Sequence, residues 1–207
     1  MSTMLTYRPV PFGGKLVLLG PDLNPCFLVA APTMRCPFFN HTVVLLVDHG
    51  GEGSLGFVVN KPANIAFEQV LLQIGLDYDP KSLQESPVML GGPVAPETGW
   101  VVFDPAGHEI ADEGVLKVSD GIGICANLKM LESIACGGGP RHALMLLGYA
   151  GWGPGQLDDE IREGSWIVVD LDPKLVFDTP SEDCWKEALA TLGIDPARVV
   201  GAVVADA

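Results

Sequence analysis

The chain is short of positive charge. Twelve Lys and Arg face 26 Asp and Glu in 207 residues, leaving a formal charge of −14 and a pI near 4.4. The cations are scattered, and no two of them are adjacent. A polyanionic surface repels a phosphate backbone, whereas a protein that grips DNA unaided presents a basic face. Direct nucleic-acid binding is therefore not expected. A helix-turn-helix is not expected either, because no two predicted helices follow each other without an intervening strand. Long hydrophobic runs are missing too. No stretch approaches the roughly 18 uninterrupted apolar residues of a membrane span, and the run Leu16–Leu19 stops at Gly20-Pro21, too short for a signal peptide. No membrane association is expected. The five cysteines (Cys26, Cys36, Cys125, Cys136, Cys184) are an odd number without C-x-x-C spacing. That pattern excludes a disulfide framework and a zinc knuckle, and fits a reducing cytoplasm.

The usual catalytic signatures are absent as well. The one Gly-Lys pair, Gly14-Lys15, is followed by Leu16, so there is no P-loop. Gly151, Gly153 and Gly155 give G-x-G-x-G, not the G-x-G-x-x-G of a dinucleotide loop. No G-x-S-x-G elbow exists; Ser54 follows Gly53 but has Glu52 two positions before it. His49 lies between Asp48 and Glu52 without a second nearby His, and H-E-x-x-H does not occur. No catalytic residue, metal ligand or cofactor is assigned, and the chain leans away from being an enzyme.

What is present is a series of short apolar runs broken by Gly and Pro. "TVVLLVD" (42–48) and "SLGFVVN" (54–60) flank "HGGEG" and predict a hairpin. "PVMLGGPV" (87–94), "GWVVFD" (99–104), "EGVLKVSDGIGICA" (113–126), "HALMLLGYA" (142–150) and "SWIVVD" (165–170) predict further strands. Helical spacing marks 66–75, capped by Gly75, and 128–136, capped by Asn127. It also marks 182–192, with Ser181 as its cap, and a short acidic helix after residue 155. The segments "LVLLGPDLNPCF" (16–27) and "LVAAPTMRCPFF" (28–39) echo each other as apolar run, two prolines and Phe. "RVVGAVVA" (198–205) reads as a last strand or helix. Strands with interspersed helices, without βαβα alternation, predict an α+β fold: one domain with a mixed, largely buried sheet flanked by a few helices. Residues 1–14 read as a loose arm and 15–207 as the domain.

The stretch "LGYAGWGPGQLDDEI" (147–161) is the most conspicuous. Its small residues permit sharp turns around Tyr149 and Trp152, which bury large area. It serves either as a packing turn or as the lining of a ligand site at a strand end. The candidate ligand set is Tyr149, Gly151, Trp152, Gly153, Gly155 and Gln156, with His49, Asn60, Gly91 and Gly92. A thiol-sensing alternative rests on Cys36, next to Arg35, and on Cys136, near Arg141 and His142.

The same stretch, with "SWIVVD" and "FDTPSEDCWKEALATLGID", resembles the C-terminal half of the YqgE/AlgH family of bacterial proteins. "FLVAAPTMRCPFFNHTVVLLVDHGGEGSLGFVVNKP" resembles its opening pattern and "VMLGGPV" its middle. Cys36 stands where members usually carry Asp before Pro. The resemblance, over about residues 15–205, implies an α+β fold, a cytosolic location and an association with transcriptional regulation through alginate control, without a settled biochemical activity. With no DNA-reading element in view, regulation is expected to act through a protein partner or a small-molecule ligand.

Overall fold

The computed structural model describes residues 25–83, 86–107 and 114–195. The arm at 1–14, the first echo segment up to residue 24, His108 and the run 198–205 lie outside the described residues. In chain order the elements are β1 (Cys26–Ala30), β2 (Val43–Gly50), β3 (Gly53–Val58), α1 (Phe67–Gln73), β4 (Val88–Leu90), β5 (Val94–Phe103), β6 (Val115–Ser119), β7 (Ile122–Cys125), α2 (Leu128–Ala135), β8 (Ala143–Trp152), α3 (Gln156–Arg162), β9 (Trp166–Val169), α4 (Pro173–Phe177) and α5 (Ser181–Ala190).

Nine strands among the described residues join in one sheet, ordered β6-β7-β5-β8-β3-β2-β1-β9, with β4 also on β8. Neighbours are antiparallel except β4 and β8, which run parallel, so the sheet is mixed as expected. β8 is the hub. Its first half pairs with β4, its last three residues pair with β3 on the same edge, and β5 lies along the other edge. The predicted β2–β3 hairpin forms, with a bulge between Leu46 and Asp48.

Strand alternation sorts the core onto two faces. Val43, Leu45, Phe57, Leu144 and Leu146 share one face with Leu175, Cys184 and Trp185, so α4 and α5 cover it. On the other face, α1 and α2 pack over Val101, Phe103 and Met145, while α3 packs over Leu28, Val44, Leu46 and Trp152. Trp185 locks α5 to the sheet, its indole N–H donating to the Ala30 carbonyl at 2.7 Å. Among the described residues no helix is long and apolar enough to cross a membrane.

Three expectations need correction. Ser181 is not the cap of the last helix: Pro180 is, in extended backbone and with no side-chain bond, and Ser181 opens the helix. Pro180 has φ of −54° but ψ of 140°, and a proline has no N–H to lose at this position, so helical backbone begins at Ser181. β8 does not stop at Ala150 but runs to Trp152, held by pairing of Gly56, Leu55 and Ser54 with Ala150, Gly151 and Trp152. Finally, two helices do adjoin without a strand between them, because α4 precedes α5. Asp172 accepts from the Lys174 N–H and Pro173 occupies the first turn, a favourable start that the apolar pattern did not reveal. In this pair α5 carries Glu182, Asp183 and Glu187 against Lys186 and buries its other face.

Candidate functional site

The predicted site residues fall into three places. His49, Trp152, Gly153, Gly155 and Gln156 meet at one end of the sheet, under α3. Trp152 is buried, stacked on Phe39 at 6.4 Å and edge-on to Trp166 at 5.9 Å. Its indole N–H donates to Glu160 Oε2 at 2.9 Å, and the Trp166 indole donates to the same oxygen at 2.8 Å. Gln156 completes the network. Its Nε2 donates to Glu160 Oε1 at 2.8 Å and its Oε1 accepts from the Gly153 N–H at 3.0 Å. Gly155 caps α3 with φ of 73°, in the left-handed region that favours glycine. The two indole N–H groups and both ends of the Gln156 amide thus have protein partners.

Beside it, His49 bridges the hairpin to α3. Its Nδ1 lies 2.8 Å from Ser54 Oγ and its Nε2 3.4 Å from Asp158 Oδ1. A hydroxyl, an imidazole and a carboxylate in line can share a proton. Ser54 nevertheless sits in regular pairing opposite His49, without the strained elbow that exposes a nucleophilic serine. Asp48, half-buried next to it, has its carboxyl raised above the ordinary carboxylate range by burial, partly offset by a bond from the His49 backbone.

Tyr149, Gly91 and Gly92 lie elsewhere, with Tyr149 on the opposite face of the sheet, where burial raises its phenol. A Cβ on Gly92 would come within 1.9 Å of the Tyr149 carbonyl carbon, so glycine is required there by a backbone crossing. Gly91 bridges strands, donating to the Leu147 carbonyl and accepting from the Val58 N–H, both at 2.8 Å. Gly151 is exposed, between the Tyr149 and Trp152 side chains in sequence. Cys36 and Cys136 are both exposed.

Asn60 belongs to the third place. Its Oδ1 accepts from the Val43 N–H at 2.8 Å and its Nδ2 donates to the His41 carbonyl at 3.0 Å. These bonds hold His41, which has φ of 57°, and leave its ring against Trp185 at 4.2 Å. Asn60 also lines a cavity of about 290 Å³ beneath the α4–α5 turn. Val59, Met89, Leu144, Val176 and Phe177 give it apolar walls, and Arg141, His142, Thr179 and Ser181 contribute polar groups. Arg141 is exposed and His142 half-buried, so both belong to the rim. Cys184 closes the floor. Its thiol, pushed up to about 12 by burial, donates to the Leu175 carbonyl at 3.2 Å.

A family model described as DUF179, AlgH-like, matches residues 27–197. The chain belongs to the AlgH-like family. A UPF0301 protein of Paraburkholderia phymatum is 41% identical over 180 residues, covering 87% of this chain and 93% of that one. A UPF0301 protein of Burkholderia cenocepacia is 40% identical over the same lengths. The solution structure of the AlgH protein from Pseudomonas aeruginosa superposes with a TM-score of 0.70 at 33% identity, covering 85% of this chain and 92% of that chain. A crystal structure of a Corynebacterium diphtheriae protein, 22% identical with a TM-score of 0.64 over 84% of this chain and 88% of that one, shares the fold.

In this AlgH-like chain, sequence reasoning selected Asn60 from the cavity but missed Arg141, His142, Thr179 and Ser181 as a group. The adjacent Arg141-His142 pair, immediately before the most apolar strand, was the one local signal. It also missed the approach of Ser54, His49 and Asp158, because Asp158 comes from a distant part of the chain.

Proposed function

We propose that this AlgH-like chain acts in the cytoplasm as a ligand-responsive module that influences transcription indirectly, without itself contacting DNA. The observation that carries the reading is the cavity beneath the α4–α5 turn, about 290 Å³ with apolar walls and polar groups gathered at its rim. Small-molecule sites combine these features, and this one is at the small end of their range. The conspicuous 147–156 stretch supports the reading by elimination, since its indole and its Gln156 amide are already bonded to Glu160 and Gly153. The net charge of −14 and the acidic α5 weigh against a direct grip on a phosphate backbone. A protein partner would read the occupied and empty states.

The test is a thermal-shift screen of the full chain against a panel of small metabolites, run beside a gel-retardation assay at physiological salt. A ligand at a hundredfold excess over its Kd stabilises the fold by about 2.7 kcal/mol and raises Tm measurably. The expected result is at least one stabilising compound and an unretarded DNA probe. A panel without a hit, or a probe retarded by micromolar protein, contradicts the reading.

A further inference from the structure

We infer that the cavity beneath the α4–α5 turn takes an uncharged ligand, an apolar body with one hydroxyl or amide head, bonded by the hydroxyls of Thr179 and Ser181. This rests on the cavity being the ligand site.

The walls set the body of the ligand. Met89 and Leu144 come from the paired strands β4 and β8, and Val176 and Phe177 from α4, so three elements turn apolar surface to one space. Two polar side chains share these walls, and both are committed. Asn60 accepts from the Val43 N–H and donates to the His41 carbonyl. The Cys184 thiol donates to the Leu175 carbonyl, and burial, which pushes it up to about 12, keeps it neutral at physiological pH. An ionised group placed against such walls loses its hydration without gaining a partner, and that costs far more than the same step for an uncharged group.

The rim does not restore the balance for an ion of either sign. Arg141 is exposed and has an interaction of its own. An anion would have to draw the guanidinium away from that interaction, and a cation would meet it as a like charge.

An uncharged head, by contrast, finds partners. Thr179 and Ser181 flank Pro180 in the α4–α5 turn, and both line the cavity half-buried. The Thr179 hydroxyl donates to the Lys174 carbonyl at 3.0 Å, and its oxygen keeps lone pairs with which to accept. Ser181, the first residue of α5, adds a hydroxyl that can donate. A ligand hydroxyl or amide that donates to Thr179 and accepts from Ser181 is satisfied without carrying charge. The head therefore sits at the turn, and the apolar body points toward β4 and β8.

Isothermal titration of the full chain with hexan-1-ol tests the inference, with hexanoate and hexylamine as charged counterparts of the same length. Hexanol is expected to bind at least about tenfold more tightly than either ion. Thr179→Val and Ser181→Ala should each weaken hexanol about fivefold. Thr179→Trp, which fills the mouth, should abolish binding, and circular dichroism checks that each variant is folded. Intermolecular NMR contacts from hexanol should fall on the methyl groups of Met89, Leu144 and Val176 in the unaltered chain, which places the ligand without any variant. Either ion binding as tightly as hexanol overturns the inference. So do contacts on methyl groups elsewhere, or hexanol affinity that none of the folded variants changes. If hexanol does not bind, the inference falls. The cavity then remains the ligand site if a charged metabolite stabilises the chain and Thr179→Trp blocks it. Both readings fall if no compound of any charge binds the folded chain.

Discussion

Asp48 shows how a single side chain can oppose the fold it sits in. Burial raises its carboxyl above the ordinary 3.8, so the folded state holds this proton more tightly than the unfolded state does. Its contribution is favourable below pH 3.8 and is lost as the pH climbs through the folded value. Asp48→Asn keeps an acceptor for the His49 backbone bond and removes the buried charge. It should raise Tm at pH 7, with the gain shrinking as the pH falls through the raised folded value and gone below 3.8, as thermal melts at pH 7 and below 3.8 will show. The glycines separate as sharply. A methyl at Gly92 meets the Tyr149 backbone at 1.9 to 2.0 Å, and backbone cannot give way. Gly92→Ala should cost about 3 kcal/mol or more in urea unfolding. A methyl at Gly155 meets nothing within 4 Å, so only its φ of 73° is at stake, and Gly155→Ala should cost about 1 kcal/mol. The cysteines sort by exposure. Cys36 and Cys136 should alkylate readily in the native protein, while Cys26, Cys125 and Cys184 stay protected. Burial pushes the Cys26 thiol up to about 11, helped by the nearby Asp170 charge, and that of Cys184 to about 12. Mass spectrometry after a brief iodoacetamide pulse counts them; rapid labelling at Cys184 would contradict the packing of α5.

At the scale of elements, Glu160 ties β8, α3 and β9 together through two indole N–H groups and Gln156. Glu160→Ala strands both indoles in a buried setting, at about 1–3 kcal/mol for each. Urea denaturation should show that loss with a change in tryptophan fluorescence, and an unchanged midpoint would remove the network from the account. Elements driven by local chemistry were legible in the sequence. The β-branched run at 42–48 and its glycine turn predicted the hairpin, and Asn127 caps α2 as read, accepting from the Lys129 N–H at 2.9 Å. What escaped was decided by distant partners. Gly151, Gly153 and Pro154 look like a turn from Gly151 onward, yet pairing of Trp152 with Ser54 extends β8 through the first of them. The start of α5 was misplaced by one residue, because Ser181 has the chemistry of a cap while the geometry of Pro180 takes that position.

For the whole molecule, composition was a poor guide to what the interior admits. The α+β class followed from the order of runs and turns, and the mixed sheet needed only the parallel β4–β8 pair to confirm it. The cavity was not legible, because its walls come from five separate stretches: the residues just after β3, β4, the start of β8, α4 and α5. Trp152 drew attention for the opposite reason, being conspicuous in sequence and fully engaged in the fold. The most direct measurement is a heteronuclear NMR titration of the full chain with the compound that stabilises it most. The account predicts that the largest shifts fall on Asn60, Arg141, His142, Thr179 and Ser181, with His49, Trp152 and Gln156 unmoved. Shifts centred on the α3 end of the sheet, or spread evenly over the surface, would contradict it.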